Sequence, residues 1–202
     1  MTPSRPEIIL ASASYSRRKL LEAAGVDFRV MAAGVDEAAI KRRHDARKSG
    51  FDELAADLAS QKALAVAERH TDALVIGADQ ILVLNGEAFD KPDSIETARQ
   101  QLLRLRGETH SLETAVACAM GKDVLWLHVE APRLTMWAFS ASQLESYFVG
   151  EGEAVTETVG GYKIEGPAIQ LFESIAGDYF SILGLPLLPL LGFLRTRGAI
   201  AA

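Results

Sequence analysis

The chain is poor in the residues that staple a fold or hold a soft metal. It has one cysteine, Cys118, among 202 residues. An intramolecular disulfide is therefore impossible, and a zinc site of the CxxC kind is excluded. Cys118 lies in an apolar run and is expected to be a small core residue. The four histidines (His44, His70, His110, His128) show no HExxH or other ligand spacing. No G-x-x-x-x-G-K-[ST], G-x-G-x-x-G or G-x-S-x-G pattern occurs, so a Walker loop, a dinucleotide fingerprint and a hydrolase elbow are all missing. The most apolar stretch, YFSILGLPLLPLLGFL at 179–194, is short for a membrane span and is broken by Gly184, Pro186, Pro189 and Gly192. It reads as a buried turn followed by a core helix. The opening MTPSRPEIIL lacks the apolar segment of a signal peptide, so a cytoplasmic protein with no membrane partner is expected. The formal net charge of -6 argues against broad nucleic-acid binding. Any anionic ligand must be held by a local cluster of cations.

What is present is an ordinary globular composition: 49% hydrophobic and 24% charged. That is enough for one domain over 1–202, built as two lobes around a cleft. Strands and helices alternate in the N-terminal half, and longer hairpin-like strands follow, which predicts an α/β fold with a mixed sheet. The expected helices cover 16–24, 52–69, 94–105 and 186–195, with one more behind Asp36. Strands are expected at 8–11, 28–31, 73–76, 81–84, 112–120 and 124–139, with 77–79 interrupting the third and fourth. Asn85-Gly86 is a hairpin signal, and Ser140 with Gln143 is a capping box.

Five stretches could carry chemistry. In ASASYSRRK, three serines (Ser12, Ser14, Ser16) precede Arg17, Arg18 and Lys19 at a strand-to-helix corner. The corner is either a capped, basic first turn or a polyanion site, since helix N-termini favour phosphate and arginine adds bidentate donors. In VIGADQILVL, Asp79 is stranded between apolar segments. A buried carboxylate needs a cation, a metal or donors, so Asp79 is either a bulge residue or a metal ligand or base. The Asn85-Gly86 hairpin then folds FDKP back and brings Lys91 towards Asp79. Glu37, in GVDE, is either a first-turn carboxylate behind the Asp36 cap or a second magnesium ligand beside Asp79. GGYKIEGPA is a glycine-rich loop in which Glu165 could accept from paired N–H donors of a base. The basic run KRRHDARK, 41–48, reads as a solvated face.

Taken together, LASASYSRRKLLEAAG, VDE, LASQKALAVA, GADQ, DKP, LRLRGETHSLETAVA, GGYKIEG and GDYFSILGLPL resemble the Maf family of nucleotide pyrophosphatases, in the family's order and over nearly the whole chain. The resemblance implies a two-lobed, inosine triphosphatase-like fold, a homodimer, and a Mg²⁺- or Mn²⁺-dependent cleavage of a nucleoside triphosphate between its α- and β-phosphates. It makes Asp79 the proton acceptor and places Ser12, Ser14, Arg17 and Arg18 at the phosphate corner. Glu37, Lys62 and Lys91 become the other polar residues of the cleft. The common SPRR is replaced here by YSRR. Ser16, Gln80 and Glu165 occupy the specificity positions. The last two resemble the subfamily that prefers 7-methyl-GTP; Ser16 stands where that group usually carries a bulky aromatic. A dTTP/UTP or broad-specificity enzyme is the rival substrate reading, and a non-catalytic nucleotide-binding regulator of cell division is the rival class.

Overall fold

The structure is a computed structural model that describes residues 5–47 and 49–201. Lys48, the end of the basic run, lies outside the described residues. By its contacts the chain divides into two units. The first takes in the chain up to Gln80, Thr114–Glu130 and the segment from Asp178 onward. The second holds Ile81–Glu113 and Ala131–Gly177.

In the first unit, β1 (Ile8–Leu10) leads through α1 (Tyr15–Ala23) to the two-residue β2 (Arg29–Val30). α1 starts one residue before the predicted bound, because Ser14 rather than a later residue is its cap: the Ser14 side chain accepts from the Arg17 N–H. Gly25, at φ +70°, ends the helix as predicted. Two helices follow, α2 (Glu37–Arg47) and α3 (Phe51–Ala67), and then β3 (Leu74–Leu84). β1 pairs in parallel with β2 and with β3, so Leu10 faces Ile76 across the ladder. Parallel pairing requires crossover connections, which α1 on one side and α2 with α3 on the other provide. The expected break at 77–79 is absent. GADQ lies within one continuous strand whose residues are nearly all buried.

Beyond Gln80, β3 runs into the second unit and turns at Asn85-Gly86 into β4 (Glu87–Phe89), with both turn residues at positive φ as a tight hairpin requires. α4 (Ile95–Leu105) is capped by Ser94. β5 (Thr109–Met120) starts three residues earlier than expected and pairs with β6 (Asp123–Glu130) in the first unit and with β7 (Arg133–Met136) in the second. The predicted single strand over 124–139 is thus two strands. Pro132 separates them, since it has no N–H to give a ladder. α5 (Ala141–Glu151) opens on the predicted Ser140/Gln143 capping box. β8 (Phe172–Ala176), a strand exposed at every residue but Phe172 and without alternation, pairs with β7 and was not predicted. α6 (Tyr179–Ile182) and α7 (Leu187–Thr196) close the described chain. The strand order is β2-β1-β3-β5-β7-β8, with β4 on β3 and β6 on β5: a mixed sheet with flanking helices, as the α/β reading expected.

The core of the first unit gathers Leu10, Leu21, Ile76, Val116, Cys118, Leu185, Leu190 and Leu194. Most of the apolar run at 179–194 is therefore core, with Tyr179 and Leu188 exposed. Among the described residues no helix is long and apolar enough to cross a membrane. Burial pushes the Cys118 thiol well above its ordinary pKa, so it stays protonated and packs as an apolar residue.

Candidate active site

The opening corner sits at the carboxyl end of β1, where open parallel sheets present their ligand sites. Its three serines do different things. Ser12 is buried and accepts from the Ser14 N–H at 3.2 Å and from Arg17 Nη1 at 3.2 Å. Ser14 caps α1, and Ser16 lies half-buried in the first turn. Arg18 is largely exposed; it pairs with Glu22 at 3.5 Å and lies over the Tyr15 ring. A first-turn cation opposes the helix dipole, and Glu22 offsets part of that cost. For Ser14, Arg18 and Lys19, a capped basic turn describes the geometry.

Arg17 is different. Nε donates to the Gly184 carbonyl at 2.8 Å, and Nη1 donates to the Ala78 carbonyl at 2.8 Å as well as to Ser12. One guanidinium thus ties the corner, β3 and the turn after α6. The two N–H groups of Nη2 stand outside these bonds. Burial lowers the pKa of Arg17 from its ordinary value, and the negative charges of Asp79 and Glu37 offset part of that shift. Gly184 is required beneath it: φ is +92°, and a Cβ there would lie 3.3 Å from Arg17 Nε.

Asp79 is buried, and its Oδ1 meets Lys62 Nζ at 2.6 Å. The same Nζ is 2.8 Å from Glu37 Oε1. Sequence alone could not place Glu37 and Asp79 together; in the structure they share one ammonium. Gly77 makes this possible. A Cβ at Gly77 would lie 2.2 Å from the Ala59 carbonyl oxygen and 2.6 Å from the Ala63 nitrogen. Without a side chain, β3 seats directly on the backbone of α3, and Lys62 reaches the strand residue two positions on.

Gln80 is anchored by its amide. Nε2 lies 2.8 Å from Thr114 Oγ1, 2.9 Å from the Ser181 carbonyl and 3.1 Å from the Ile182 carbonyl. Two carbonyls around one atom fix it as nitrogen, so Oε1 is left as an acceptor. Ser181 is itself held: its N–H donates to Asp178 Oδ2 at 2.7 Å and its hydroxyl donates to Glu130 Oε2 at 2.6 Å. Thr114, Ser181 and Gly184 support the site and were missed. Their partners are 34 to 167 residues away, a separation with no local signature.

Ser12, Ser14, Ser16, Arg17, Arg18, Glu37, Lys62, Asp79 and Gln80 all belong to the first unit, and Lys91 and Glu165 to the second. Lys91 is exposed in the loop before α4 and lends positive charge to Glu157. Glu165 is exposed in the turn before the 3-10 segment Pro167–Leu171. The GGYK loop folds around the protein's own groups. Gly160 and Gly161 have φ of +78° and +74°, and a Cβ on Gly160 would lie 2.7 Å from Leu82 Cδ1. The Tyr162 hydroxyl is 2.7 Å from His110 Nε2, and the Tyr147 hydroxyl donates to the Gly161 carbonyl at 2.9 Å. In the basic run, His44 is buried against Asp57 at 3.2 Å, whereas Arg42 and Arg43 are exposed, so one side of α2 is solvated and the other packs on α3.

Among the described residues no group of three or more His, Cys, Asp and Glu could hold a metal. Glu37 and Asp79 do suit a hard divalent cation. Magnesium is commonly held by one or two carboxylates, with water and substrate phosphate filling the remaining positions. The Glu37 and Asp79 oxygens already converge on one cationic group, the Lys62 ammonium.

These features bear on kinship. The family described as Maf-like protein matches residues 7–197. The nucleoside triphosphate pyrophosphatase of Granulibacter bethesdensis is 50% identical over 194 residues, covering 96% of this chain and 98% of that protein. The one from Rhodospirillum rubrum is 48% identical over 195 residues, 96% of each chain. The 7-methyl-GTP pyrophosphatase of Brucella abortus is 42% identical over 194 residues, 96% of this chain and 98% of that protein. A match running from β1 to the end of α7, with near-complete coverage of each relative, places the whole described fold in one lineage: the chain belongs to the Maf family.

Proposed function

We propose that this nucleoside triphosphate pyrophosphatase prefers 7-methyl-GTP, releasing 7-methyl-GMP and pyrophosphate, and that Asp79 is its proton acceptor. The hydrolase class follows from the family and its curated relatives. The observation that carries the site assignment is the buried Asp79 carboxylate held by Lys62, whose ammonium it shares with Glu37, one residue from the carbonyl that Arg17 grips.

Attack on an α-phosphorus needs an oriented water and compensation of the charge that develops on the leaving pyrophosphate. Asp79 orients the water and takes its proton. Lys62, Lys91, Arg18 and the free edge of Arg17 neutralise phosphate charge, with Ser12, Ser14 and the α1 amides as neutral donors. Mg²⁺ or Mn²⁺ held by Glu37 and Asp79 would, when bound, acidify that water and share the phosphate charge. Glu165 reads the guanine N–H edge, and its negative charge favours the cationic methylated ring. Gln80 supplies an acceptor through Oε1, and Ser16 borders the base. Three relatives at 42% identity carry the 7-methyl-GTP name, in keeping with Gln80 and Glu165. Relatives at 47–50% identity carry the unqualified name, which favours broad specificity as the second reading. A cytoplasmic homodimer without nucleic-acid or membrane partners completes the proposal; light scattering on purified protein checks the dimer.

The test is pyrophosphate release from 7-methyl-GTP, GTP, dTTP and UTP with Mg²⁺ or Mn²⁺, for wild type and Asp79→Asn. Release that is abolished in Asp79→Asn and highest on 7-methyl-GTP is expected. Preference for dTTP or UTP by about tenfold, roughly 1.4 kcal/mol in the barrier, defeats the substrate assignment. Equal release by both proteins removes Asp79 from the mechanism. No release by either favours the nucleotide-binding regulator.

A further inference from the structure

The two carboxylates of the site already share a cation, and that cation belongs to the protein. Lys62 Nζ contacts Asp79 Oδ1 and Glu37 Oε1 at 2.6 and 2.8 Å. The Lys62 and Asp79 side chains are each 13% exposed, while Glu37 is 48% exposed. Lys62 is not loosely tethered, because α3 is seated on β3 at Gly77. An ammonium has three N–H donors, and two of them are spent on these carboxylates.

We propose that Lys62 is a placeholder for the divalent cation, so that metal binding and polyphosphate binding each assist the other. The inference rests on the metal reading given under Proposed function. Lys62 and a divalent cation compete for the same two oxygens, and like charges this close in a partly buried site repel strongly. Lys62 must therefore withdraw when the carboxylates take up a metal. Withdrawal costs little only when a new anion receives the ammonium, and a triphosphate supplies one. Metal affinity of the empty enzyme is thus held down, and a bound polyphosphate raises it. Linkage makes the coupling reciprocal: the metal raises polyphosphate affinity by the same factor. This gives Lys62 a task separate from touching substrate. It keeps a buried carboxylate paired while the site is empty, which avoids an uncompensated charge.

The experiment is a titration with Mn²⁺ alone, followed by the electron paramagnetic resonance signal of free Mn²⁺, on wild type, Lys62→Met and Asp79→Asn at neutral pH. Lys62→Met is expected to bind Mn²⁺ about tenfold more tightly than wild type, the scale of losing one partly buried ion pair. Asp79→Asn is expected to lose the site. An α,β-methylene nucleotide, corrected for its own chelation of Mn²⁺, should tighten Mn²⁺ binding in wild type and do so far less in Lys62→Met. Unchanged or weaker Mn²⁺ binding by folded Lys62→Met overturns the placeholder role and leaves the carboxylate metal site standing. Wild-type binding that Asp79→Asn does not alter overturns the metal reading and the inference with it. Should Lys62→Met fail to fold, Lys62→Gln keeps a neutral donor to Asp79 and is read in the same titration.

Discussion

Gly77→Ala is the sharpest structural test of how the site is built. The new Cβ would lie 2.2 Å from the Ala59 carbonyl oxygen and 2.6 Å from the Ala63 nitrogen. Both are backbone atoms of α3, so no side chain can swing aside. Relief requires β3 and α3 to part by on the order of 1 Å. Overpacking of this kind costs about 1–3 kcal/mol, and the rigid helix backbone argues for the upper end. Reduced freedom of the unfolded chain returns only about 0.4–1 kcal/mol. Lys62 lies on the displaced helix between Ala59 and Ala63, so its contacts with Asp79 and Glu37 move too. A misplacement of about 1 Å in a catalytic constellation can cost about 100-fold in rate. Urea denaturation and pyrophosphate release, measured on the same preparation, read both effects. Gly192→Ala is the control. It lies exposed within α7 with nothing within 4 Å of its Cβ, and should stabilise by up to about 1 kcal/mol without changing activity. A Gly77→Ala protein within about 0.5 kcal/mol of wild type and with unchanged kcat would refute the reasoning.

Two further perturbations probe the anchoring of Arg17 and Gln80, and a third probes the buried His110 of the second unit. Gly184→Ala imposes positive φ on alanine and crowds Arg17; a loss of about 1–3 kcal/mol in urea denaturation is expected, and wild-type stability would mean that Arg17 is not anchored there. Gln80→Glu keeps the shape but turns a carboxylate oxygen towards the Ser181 and Ile182 carbonyls; it should cost about 1–3 kcal/mol at neutral pH, and a neutral result would mean that the amide points the other way. His110 is buried beside Tyr162, and burial lowers its pKa from 6.5 to about 4. The unfolded chain binds that proton more readily, so the neutral histidine's full contribution is present above pH 6.5 and is lost as pH falls towards 4. That contribution is on the order of 3 kcal/mol at most. Urea midpoints for wild type and His110→Gln should converge as pH drops from 7 towards 4.5; a constant gap refutes the assignment.

The fold was most legible where local chemistry decides an element. Ser94 and Ser140 open helices, Gly25 ends one, and Asn85-Gly86 turns a hairpin, because each depends on atoms within a few residues. It was least legible where distant backbone decides. GADQ read as an interruption because glycine and aspartate are poor strand formers. Gly77 is small because α3 lies against it, and Asp79 is tolerated because Lys62 arrives from that helix. β6 and β7 read as one strand because residues 124–139 stay apolar across Pro132, and β8 was missed because β7 rather than its own pattern defines it.

The candidate site shows the same division in a more consequential form. Residue type told which groups could meet an anion, but not which of them the protein had already engaged. Arg17 and Arg18 are adjacent and chemically identical. One has three donor contacts to Gly184, Ala78 and Ser12, and the other pairs with Glu22 and lies over a tyrosine face. Gln80, a specificity position by resemblance, spends its amide nitrogen on Thr114, Ser181 and Ile182. A residue held so firmly can still face a ligand, through Nη2 for Arg17 and Oε1 for Gln80, but only in one direction. That is what a preorganised site needs: the geometry is set before substrate arrives, so little ordering remains at the transition state. By this argument, Gly77, Gly184 and Ser181, none of which carries a charge, fix the aim of those that do.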